Sequence, residues 1–372
     1  MYLTLTRKGN WIWFLLLVIG LLLTACQNEA KQSTPPPTSD SPQDTVTKLD
    51  VPSLNLLMTN SMGDYISFVN PSIGTTQKVK VGTAPFGLAL APENRAYVAT
   101  AEGVAVIDTK DKKRIALIPY RSNINEIEFG EYRAGGMGIA VSPDGSQVFV
   151  GVYLPGEVNQ LEIIDTDRLE VIDSVPVENR PFQVLISNDG REVYSINHDS
   201  YSVTIVDSSD LSARTVEVAP LGRGAFDKPN YGAIDTQGRI LLPFQGEVLA
   251  ILDPKSGEFT EEPMNANTHL SGVTYRRDDN KLYIIGAGAA GGVDESSSLV
   301  EMDLDTMKET IFPLSRPHEN VITSPDGRWA FLTGGYTLAN YGWDGITILD
   351  LKEGKSMEIP VDGQPLDIKI IE

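Results

Sequence analysis

The feature that most constrains this chain is a strand–turn–strand unit that recurs from residue 54 onward. Its clearest copies are GMGIAVSPDGSQVFVGV from Gly136, FQVLISNDGREVYSIN from Phe182 and HENVITSPDGRWAFLTG from His318. Each copy joins a short apolar strand to a strand of alternating apolar residues through a Pro-Asp-Gly or Asn-Asp-Gly turn, which is typical of a β-hairpin. Recurrence of such a unit indicates a repeat architecture, whose period then decides the fold.

A third strand that ends in an acid follows each hairpin, as in VAVID, LEIID and VTIVD. The acids recur every 38 to 57 residues, and a fourth strand such as RLEVIDSVPV closes each unit. That period is typical of a propeller blade and too long for a leucine-rich repeat. The acids are Asp108, Asp165, Asp207, Asp253, Asp303 and Asp350, with Asn70 in the corresponding place of the first unit.

The two ends of the repeat region complete each other. The first unit, which begins at Leu54, lacks an innermost strand, whereas QPLDIKIIE supplies an innermost strand with nothing after it. Pairing these two pieces closes the ring and removes exposed sheet edges. The sequence therefore predicts an all-β fold over residues 54–372. It is a seven-bladed β-propeller with four-stranded antiparallel blades and essentially no helix, closed by the C-terminal strand joining the first blade.

These repeats resemble the YVTN-type β-propeller family over the whole of residues 54–372. The resemblance rests on SPDGSQVFVGV, SPDGRWAFLTG and PENRAYVAT, together with the VID-type endings of the third strands. The family includes surface proteins, periplasmic binding proteins and subunits of redox enzymes, so the resemblance implies a fold and leaves the function open. The single Trp-Asp pair, Trp343-Asp344, precedes a third strand, which argues against a WD40 protein.

The N-terminal residues predict export and lipid attachment. Arg7 and Lys8 precede an apolar run, residues 11–23, that is too short for a permanent membrane-spanning helix. The following LTAC, residues 23–26, resembles a bacterial lipobox, in which residues 1–25 are a signal peptide and the cysteine receives acyl chains such as palmitate. Cys26 is the only cysteine of the chain. The alternative is a buried free cysteine behind a plain signal anchor.

Composition extends this prediction to the cell envelope. Residues 26–53 are rich in Ser, Thr, Pro and Gln and cannot bury enough apolar area to fold, so we expect a disordered tether from the lipidated Cys26. The net charge of -20 argues against nucleic acid as a partner. We expect an extracytoplasmic lipoprotein of a bacterial membrane. In a source with an outer membrane, Gln27 after the cysteine resembles the pattern that sorts lipoproteins to it.

Connection lengths distinguish the two faces of the predicted propeller. The turns after the first and third strands are short, whereas connections on the other face include PYRSNINEIEFGEYRAGG, APLGRGAFDKPN, GAGAAGGVDESSS and GGYTLANYGWDG. Loops on a rigid scaffold commonly form functional sites. We therefore expect the long-loop face to bind and the short-turn face, where the tether enters, to lie toward the membrane.

Cations and rings recur where innermost strands begin on the long-loop face. Guanidinium groups bind carboxylate and phosphate bidentately, so a basic rim with aromatic walls predicts a site for a small anionic or planar ligand at the channel mouth. The alternative is ordinary surface ion pairing with Glu178, Asp227 or Glu319. The predicted binding residues are Arg133, Arg180, Phe182, Lys228, Tyr231, Arg316 and His318, with Phe86 close to them.

Sequence signals for catalysis and cofactors are weak. GAGAAG, residues 286–291, matches a dinucleotide fingerprint, but no helix is predicted after it to hold a pyrophosphate. There is no G-x-S-x-G elbow, no C-x-x-C-H haem attachment site and no calcium loop, so no catalytic residue and no cofactor is predicted. A channel-bound metal is the open alternative. Its candidate ligands are His269, His318, Glu319 and Asp367.

Two functions follow from these observations. The leading one is a non-catalytic, lipid-anchored module that binds a small anionic ligand or an envelope protein through its long-loop face. The competing one is a propeller enzyme or enzyme subunit, either a lactonase-like hydrolase or a quinone- or haem-linked dehydrogenase subunit, with its site at the central channel.

Overall fold

Seven four-stranded antiparallel sheets form a ring of blades, as the sequence predicts. The computed structural model describes residues 49–130, 132–218, 228–244, 247–289, 297–335 and 342–371, apart from the side chains of 267, 269–271 and 287–289. All of these residues belong to one compact unit, Lys48–Glu372. Within the described ranges the helical structure is one 3-10 turn, His198–Ser200, and none of it is long and apolar enough to cross a membrane.

The strands run outward from the channel in chain order in blades two to seven. Blade two contains β4 (Leu88–Ala91), β5 (Arg95–Ala99), β6 (Gly103–Asp108) and β7 (Lys113–Pro119). Blade three contains β8 (Gly135–Val141), β9 (Gln147–Tyr153), β10 (Gln160–Asp165) and β11 (Glu170–Pro176). Blade four contains β12 (Pro181–Ile186), β13 (Glu192–Asn197), β14 (Ser202–Asp207) and β15 (Ala213–Glu217).

The remaining blades follow the same order. Blade five contains β16 (Ala233–Ile234), β17 (Ile240–Phe244), β18 (Val248–Leu252) and β19 (Phe259–Pro263). Blade six contains β20 (Ala266–Arg276), β21 (Lys281–Ala289), β22 (Ser298–Asp303) and β23 (Lys308–Pro313). Blade seven contains β24 (Val321–Thr323), β25 (Trp329–Thr333), β26 (Gly345–Asp350) and β27 (Lys355–Pro360).

Blade one joins the two ends of the ring. It contains β28 (Pro365–Ile371), β1 (Asn55–Asn60), β2 (Tyr65–Asn70) and β3 (Gly74–Lys80), in that spatial order. Leu56 pairs with Ile370 in the antiparallel register between β1 and β28. The predicted closure by the last strand is therefore confirmed.

Apolar side chains on alternating strand positions build seven core clusters, one at each junction between neighbouring blades. The cluster between blades seven and one includes Val51, and Leu49 packs against it. Contacts of the folded unit thus extend to the N-terminal side of Leu54. The tether and the signal peptide remain predictions, because residues 1–48, including Cys26, lie outside the described residues.

The predicted hairpin turns explain how the innermost strands of blades three, four and seven reverse. Ser142 Oγ donates a 2.6 Å hydrogen bond to Asp144 Oδ1, and the Gly145 amide donates to the Ser142 carbonyl at 2.8 Å. Gly145 has a φ of 76°, which favours glycine over residues with a side chain. The Ser187–Gly190 and Ser324–Gly327 turns repeat this arrangement.

Close backbone contacts set the width of the channel. A Cβ on Gly138 would lie 2.3 Å from the Val184 amide nitrogen, so only glycine fits between the innermost strands of blades three and four. Elsewhere side chains join the blades: Asp367 Oδ2 accepts from the Leu88 amide at 2.7 Å. These contacts fix the innermost strands, which position the residues at the channel mouth.

Candidate functional site

The channel mouth is the cavity at the long-loop end of the innermost strands. Its walls include Phe86, Arg133, Phe182, Asn230 and Glu319, which come from five blades or the connections before them. Below it lies the channel cavity, of about 360 Å³, whose walls are largely the apolar side chains of the innermost strands. The fold therefore brings together residues that are far apart in sequence, such as Phe86 and Glu319, which are 233 positions apart.

Three rings separate the channel mouth from the channel cavity. The ring centroids of Phe86 and Phe182 are 5.2 Å apart at an interplanar angle of 90°, and those of Phe182 and Tyr231 are 5.1 Å apart at 85°. Edge-to-face packing of this kind is favoured by the aromatic quadrupole. Phe86 and Phe182 line both cavities, so the cluster forms a rigid apolar floor for the mouth.

Arg133 is a buried cation in the wall of the mouth. Its side chain is 3% exposed, and its guanidinium donates to the carbonyls of Ala84 and Gly136 at 2.8 Å and of Ala134 at 3.1 Å. No carboxylate of the described residues lies within 4.0 Å of it. Burial lowers the pKa of Arg133 to about 10, so the side chain stays charged at neutral pH.

A second cationic group lies behind the aromatic cluster. Arg180 is fully buried, and its guanidinium carbon is 4.2 Å from the Tyr132 ring centroid and 5.2 Å from that of Phe182. Asp199 accepts contacts from both cations of the group, at 3.8 Å from Arg180 Nη1 and 3.4 Å from Lys228 Nζ. The structure therefore brings the predicted Arg180, Lys228 and Phe182 together.

His198 and Asp199 form a pair within the same group. His198 Nδ1 lies 2.7 Å from Asp199 Oδ1, and we assign the proton to Nδ1 because a carboxylate can only accept. Burial lowers the pKa of His198, partly offset by the hydrogen bond to Asp199. Burial alone would raise the pKa of Asp199, but the His198 hydrogen bond and the charges of Arg180 and Lys228 lower it. His198 is thus neutral at pH 7, with Nε2 as the acceptor nitrogen.

Tyr231 and Glu319 complete the mouth. The Tyr231 hydroxyl donates to Glu319 Oε1 at 2.9 Å, and both side chains are buried. This bond links blade five to the connection that precedes blade seven. The mouth therefore contains one carboxylate as well as the Arg133 cation, and it is not uniformly basic as the sequence suggests.

The proposed metal ligands are not assembled among the described residues. His318 Nε2 contacts Thr347 Oγ1 at 2.7 Å inside blade seven, whereas Glu319 faces the channel mouth. Asp367 contacts Lys369 Nζ at 2.7 Å and the Leu88 amide. The part of the chain that the structure describes holds no group of three or more His, Cys, Asp or Glu side chains suited to a metal. The His269 side chain lies outside it.

Two further predicted binding residues, Arg316 and His318, lie beside blade seven and do not line the mouth. Arg316 Nε pairs with Glu358 Oε2 at 3.2 Å on the outermost strand of blade seven, and its guanidinium lies 4.8 Å from the Trp343 ring centroid. His318 is buried beside Trp343, with ring centroids 5.6 Å apart, and burial lowers its pKa to about 4. Arg316 therefore forms the kind of surface ion pair considered as the alternative, with a different acid as partner.

Sequence reasoning missed several residues of this region. Tyr132 precedes Arg133 directly, and the pair His198-Asp199 stands between two strands of blade four, where an adjacent His and Asp is an available signal. Asn230 precedes Tyr231 and lines the mouth. Three of the predicted long loops include residues 219–227, 290–296 and 336–341, which lie outside the described residues.

Comparisons with known proteins identify the fold and not the family. No protein-family model matches the chain. No curated protein matches it in sequence either.

Solved structures do match over most of the chain. Periplasmic gluconolactonase of Pseudomonas aeruginosa is 14% identical, with a TM-score of 0.61, over 86% of this chain and 99% of that one. Hydrazine synthase of Kuenenia stuttgartiensis is 20% identical, with a TM-score of 0.58, over 87% and 99%. A dihydro-haem d1 dehydrogenase in complex with DHE is 13% identical, with a TM-score of 0.53, over 87% and 76%. At these identities the matches establish the propeller fold.

Proposed function

We propose that this chain is a lipid-anchored, extracytoplasmic propeller that binds a small anionic ligand at its channel mouth. We also propose that its repeats are of the YVTN type. The observation that supports binding is Arg133, a buried guanidinium in the wall of a cavity with no carboxylate of the described residues in ion-pair distance. Burying a charge is costly unless an opposite charge compensates it. A bound anion supplies that charge.

The other walls define the ligand further. Phe86 and Phe182 pack edge to face beside Arg133 and offer an apolar surface to the group that carries the anion. Glu319 is held in the mouth by Tyr231, and its negative charge disfavours a polyanion. The charges of the mouth therefore favour a monoanion, with carboxylate as the simplest anionic group that matches a guanidinium.

Isothermal titration of the full chain with benzoate and with its neutral analogue benzamide tests this proposal. We expect benzoate to bind at least about tenfold more tightly, because only benzoate compensates Arg133. Arg133→Lys weakens benzoate binding, whereas Arg316→Met is the matched control and leaves it unchanged, since Arg316 pairs with Glu358. Equal affinities for the two probes, or equal effects of the two variants, would overturn the proposal.

Membrane attachment is the second part of the proposal and rests on the sequence around Cys26. An alkyne analogue of palmitate should label the wild-type protein in bacterial cells and fail to label Cys26→Ser. The labelled protein should partition with membranes and the variant should not. Equal labelling of both chains would refute attachment through this thiol. We further expect an envelope protein to bind the long-loop face. Cross-linkers placed on residues of this face, in cells, would test for such a partner.

One observation favours an enzyme as the second candidate. The neutral His198, oriented by Asp199, has the arrangement of a general base that removes a proton from water. Water so activated would attack a lactone carbonyl, the ring C–O bond would break, and a hydroxy acid would form. One of the fold neighbours is a gluconolactonase. Hydrolysis of glucono-δ-lactone above the rate of a His198→Asn variant would support this candidate, and equal rates would exclude it.

The dehydrogenase-subunit alternative predicts a retained cofactor. Native mass spectrometry of the purified protein, folded and then denatured, distinguishes it from the binding module. Extra mass in the folded form alone, equal to a quinone or haem, would favour the dehydrogenase-subunit alternative. A folded mass equal to the chain would favour binding without a cofactor.

A further inference from the structure

Three blades place a tyrosine at the same position, the third residue of the second strand. These residues are Tyr97 in β5, Tyr194 in β13 and Tyr283 in β21. All three side chains are 1% exposed or less. Because a buried hydroxyl normally has a hydrogen-bond partner, the repeat allows the surroundings of one tyrosine to be compared with the others.

In blades four and six a carboxylate joins the hydroxyl to a cation. Tyr283 donates to Glu301 Oε2 at 3.0 Å, and Lys281 Nζ lies 2.7 Å from Glu301 Oε1. Tyr194 donates to Glu192 Oε2 at 2.9 Å, with Arg214 4.0 Å from the same carboxylate. The local pattern is a tyrosine, a carboxylate and a cation.

Blade two retains the tyrosine and the cation but has no carboxylate between them. Arg95 stands two residues before Tyr97, as Lys281 stands before Tyr283. Val106 pairs with Tyr97 in the register where Glu301 pairs with Tyr283. Among the described residues the Tyr97 hydroxyl has no hydrogen-bond partner. Arg95 forms no ion pair there, and its guanidinium reaches only the Thr166 carbonyl at 3.5 Å.

A cavity of about 230 Å³ lies at this position, on the short-turn face between blades two and three. Arg95 and Tyr97 line one wall, and the turn at Ser146 and Thr166 lines the other. We propose that this cavity binds a small carboxylate, which accepts from the Tyr97 hydroxyl as Glu192 and Glu301, on the second and third strands of their blades, accept from Tyr194 and Tyr283. The site is separate from the channel mouth, which opens on the opposite face.

The charges around the cavity identify the class of carboxylate. Asp167 and Glu93 also line it, and their carboxylates form no hydrogen bond or ion pair with described residues. The Asp144 carboxylate already accepts hydrogen bonds from the hydroxyls of Ser142 and Ser146. A simple anion would be repelled by the two open acids, whereas a zwitterion places its ammonium group beside them. The ligand class is therefore a free α-amino acid, and the volume, below that of drug-sized pockets, suits a molecule of that size.

Saturation-transfer NMR on the full chain, with glycine, L-alanine, acetate and methylamine as probes, tests this site. We expect saturable binding of an amino acid with a Kd near or below about 1 mM, weaker binding of acetate and none of methylamine. Tyr97→Phe should weaken amino-acid binding about fivefold through the lost hydrogen bond, and Arg95→Gln about tenfold through the lost charge. Tyr194→Phe is the matched control and should bind as the wild type does.

Stability without ligand gives a second measurement. Tyr97→Phe should not lower the melting temperature, because its hydroxyl has no partner to lose, whereas Tyr194→Phe should lower it. The proposal is overturned if neither amino acid binds below about 10 mM, if Tyr97→Phe binds as the wild type does, or if acetate binds as tightly as glycine. Benzoate should not compete with the amino acid, so failure here and failure at the channel mouth are distinguishable.

Discussion

The short-turn face and the channel mouth use charged residues in opposite ways. On the short-turn face, Asp165 and Asp303 accept hydrogen bonds from backbone amides two and three residues further along, and their carboxylates are partly exposed. At the mouth, Arg133 and Glu319 are buried and bonded to distant parts of the chain. Charges that recur in six of the seven blades stabilise local turns, whereas charges that occur once form the site.

The largest expected effect that tests this difference is at Arg133. Arg133→Met leaves the carbonyls of Ala84, Ala134 and Gly136 without their donor, and we expect the free energy of unfolding to fall by about 4 kcal/mol. Arg168→Met is the control, because Arg168 is exposed and pairs only at 3.9 Å or more. Its cost should stay below about 1 kcal/mol. Similar values for both variants in urea unfolding would remove the distinction between the two regions.

The pH dependence of stability should give the second largest difference between buried charged or titratable groups and those of the short-turn face. Burial lowers the pKa of His318 to about 4 from 6.5, so its neutral form stabilises the fold above pH 6.5 and this contribution is lost as pH falls toward 4. We expect a loss of about 3 kcal/mol between pH 7 and pH 4. Side-chain and backbone hydrogen bonds lower the pKa of Asp144 to about 2, so the turn face weakens only below that window. In His318→Gln the free energy of unfolding should change little between pH 7 and pH 4. A pH dependence equal to that of the wild type would contradict the role given to His318.

A smaller effect is expected where the mouth joins two blades. Tyr231→Phe removes the donor to Glu319, and we expect a loss of about 2 kcal/mol because the bond is charge-assisted and buried. Thermal unfolding measures the change. Tyr120→Phe is the matched control, since its hydroxyl donates only to backbone carbonyls. If the control lost as much as Tyr231→Phe, the charge of Glu319 would add nothing at this position.

The smallest effects are expected on the turn face itself. Asp165→Ala and Asp303→Ala each remove local hydrogen bonds to amides that water can reach. Each should lower the melting temperature by less than about 2 °C, and by the same amount, with benzoate binding unchanged. A large difference between the two blades would show that the repeated acids have individual roles.

The fold followed from the sequence because its signals recur. The hairpin at Asp144 and the one at Asp326 have the same turn residues, and each copy strengthens the inference from the other. Closure by β28 followed from counting strands, since one unit lacked what the last segment supplied. A pattern of strands and turns that recurs along the chain is sufficient to predict the architecture.

The site followed only in part, because its geometry depends on side-chain direction. Arg133 and Arg316 both precede innermost strands, yet one enters the wall of the mouth and the other turns outward to Glu358. His318 and Glu319 are neighbours in sequence and face different environments. The group around His198 depends on one 3-10 turn that carries no repeat signal. Position along a strand is readable from sequence, and orientation at a strand end is not.

The pairing of β28 with β1 has a consequence for how the chain acquires its structure. The Asp367 amide donates to Thr59 Oγ1 across a sequence separation of 308 residues, so contacts of blade one join the opposite ends of the ring. Contacts of such long range slow folding, because the loop between them must close first. Blades two to seven can form while the chain is being synthesised. The ring stays open until the last strand, β28, has left the ribosome. Synthesis that stops short of β28 would leave β1 without its partner strand, and this exposed edge would be open to proteolysis.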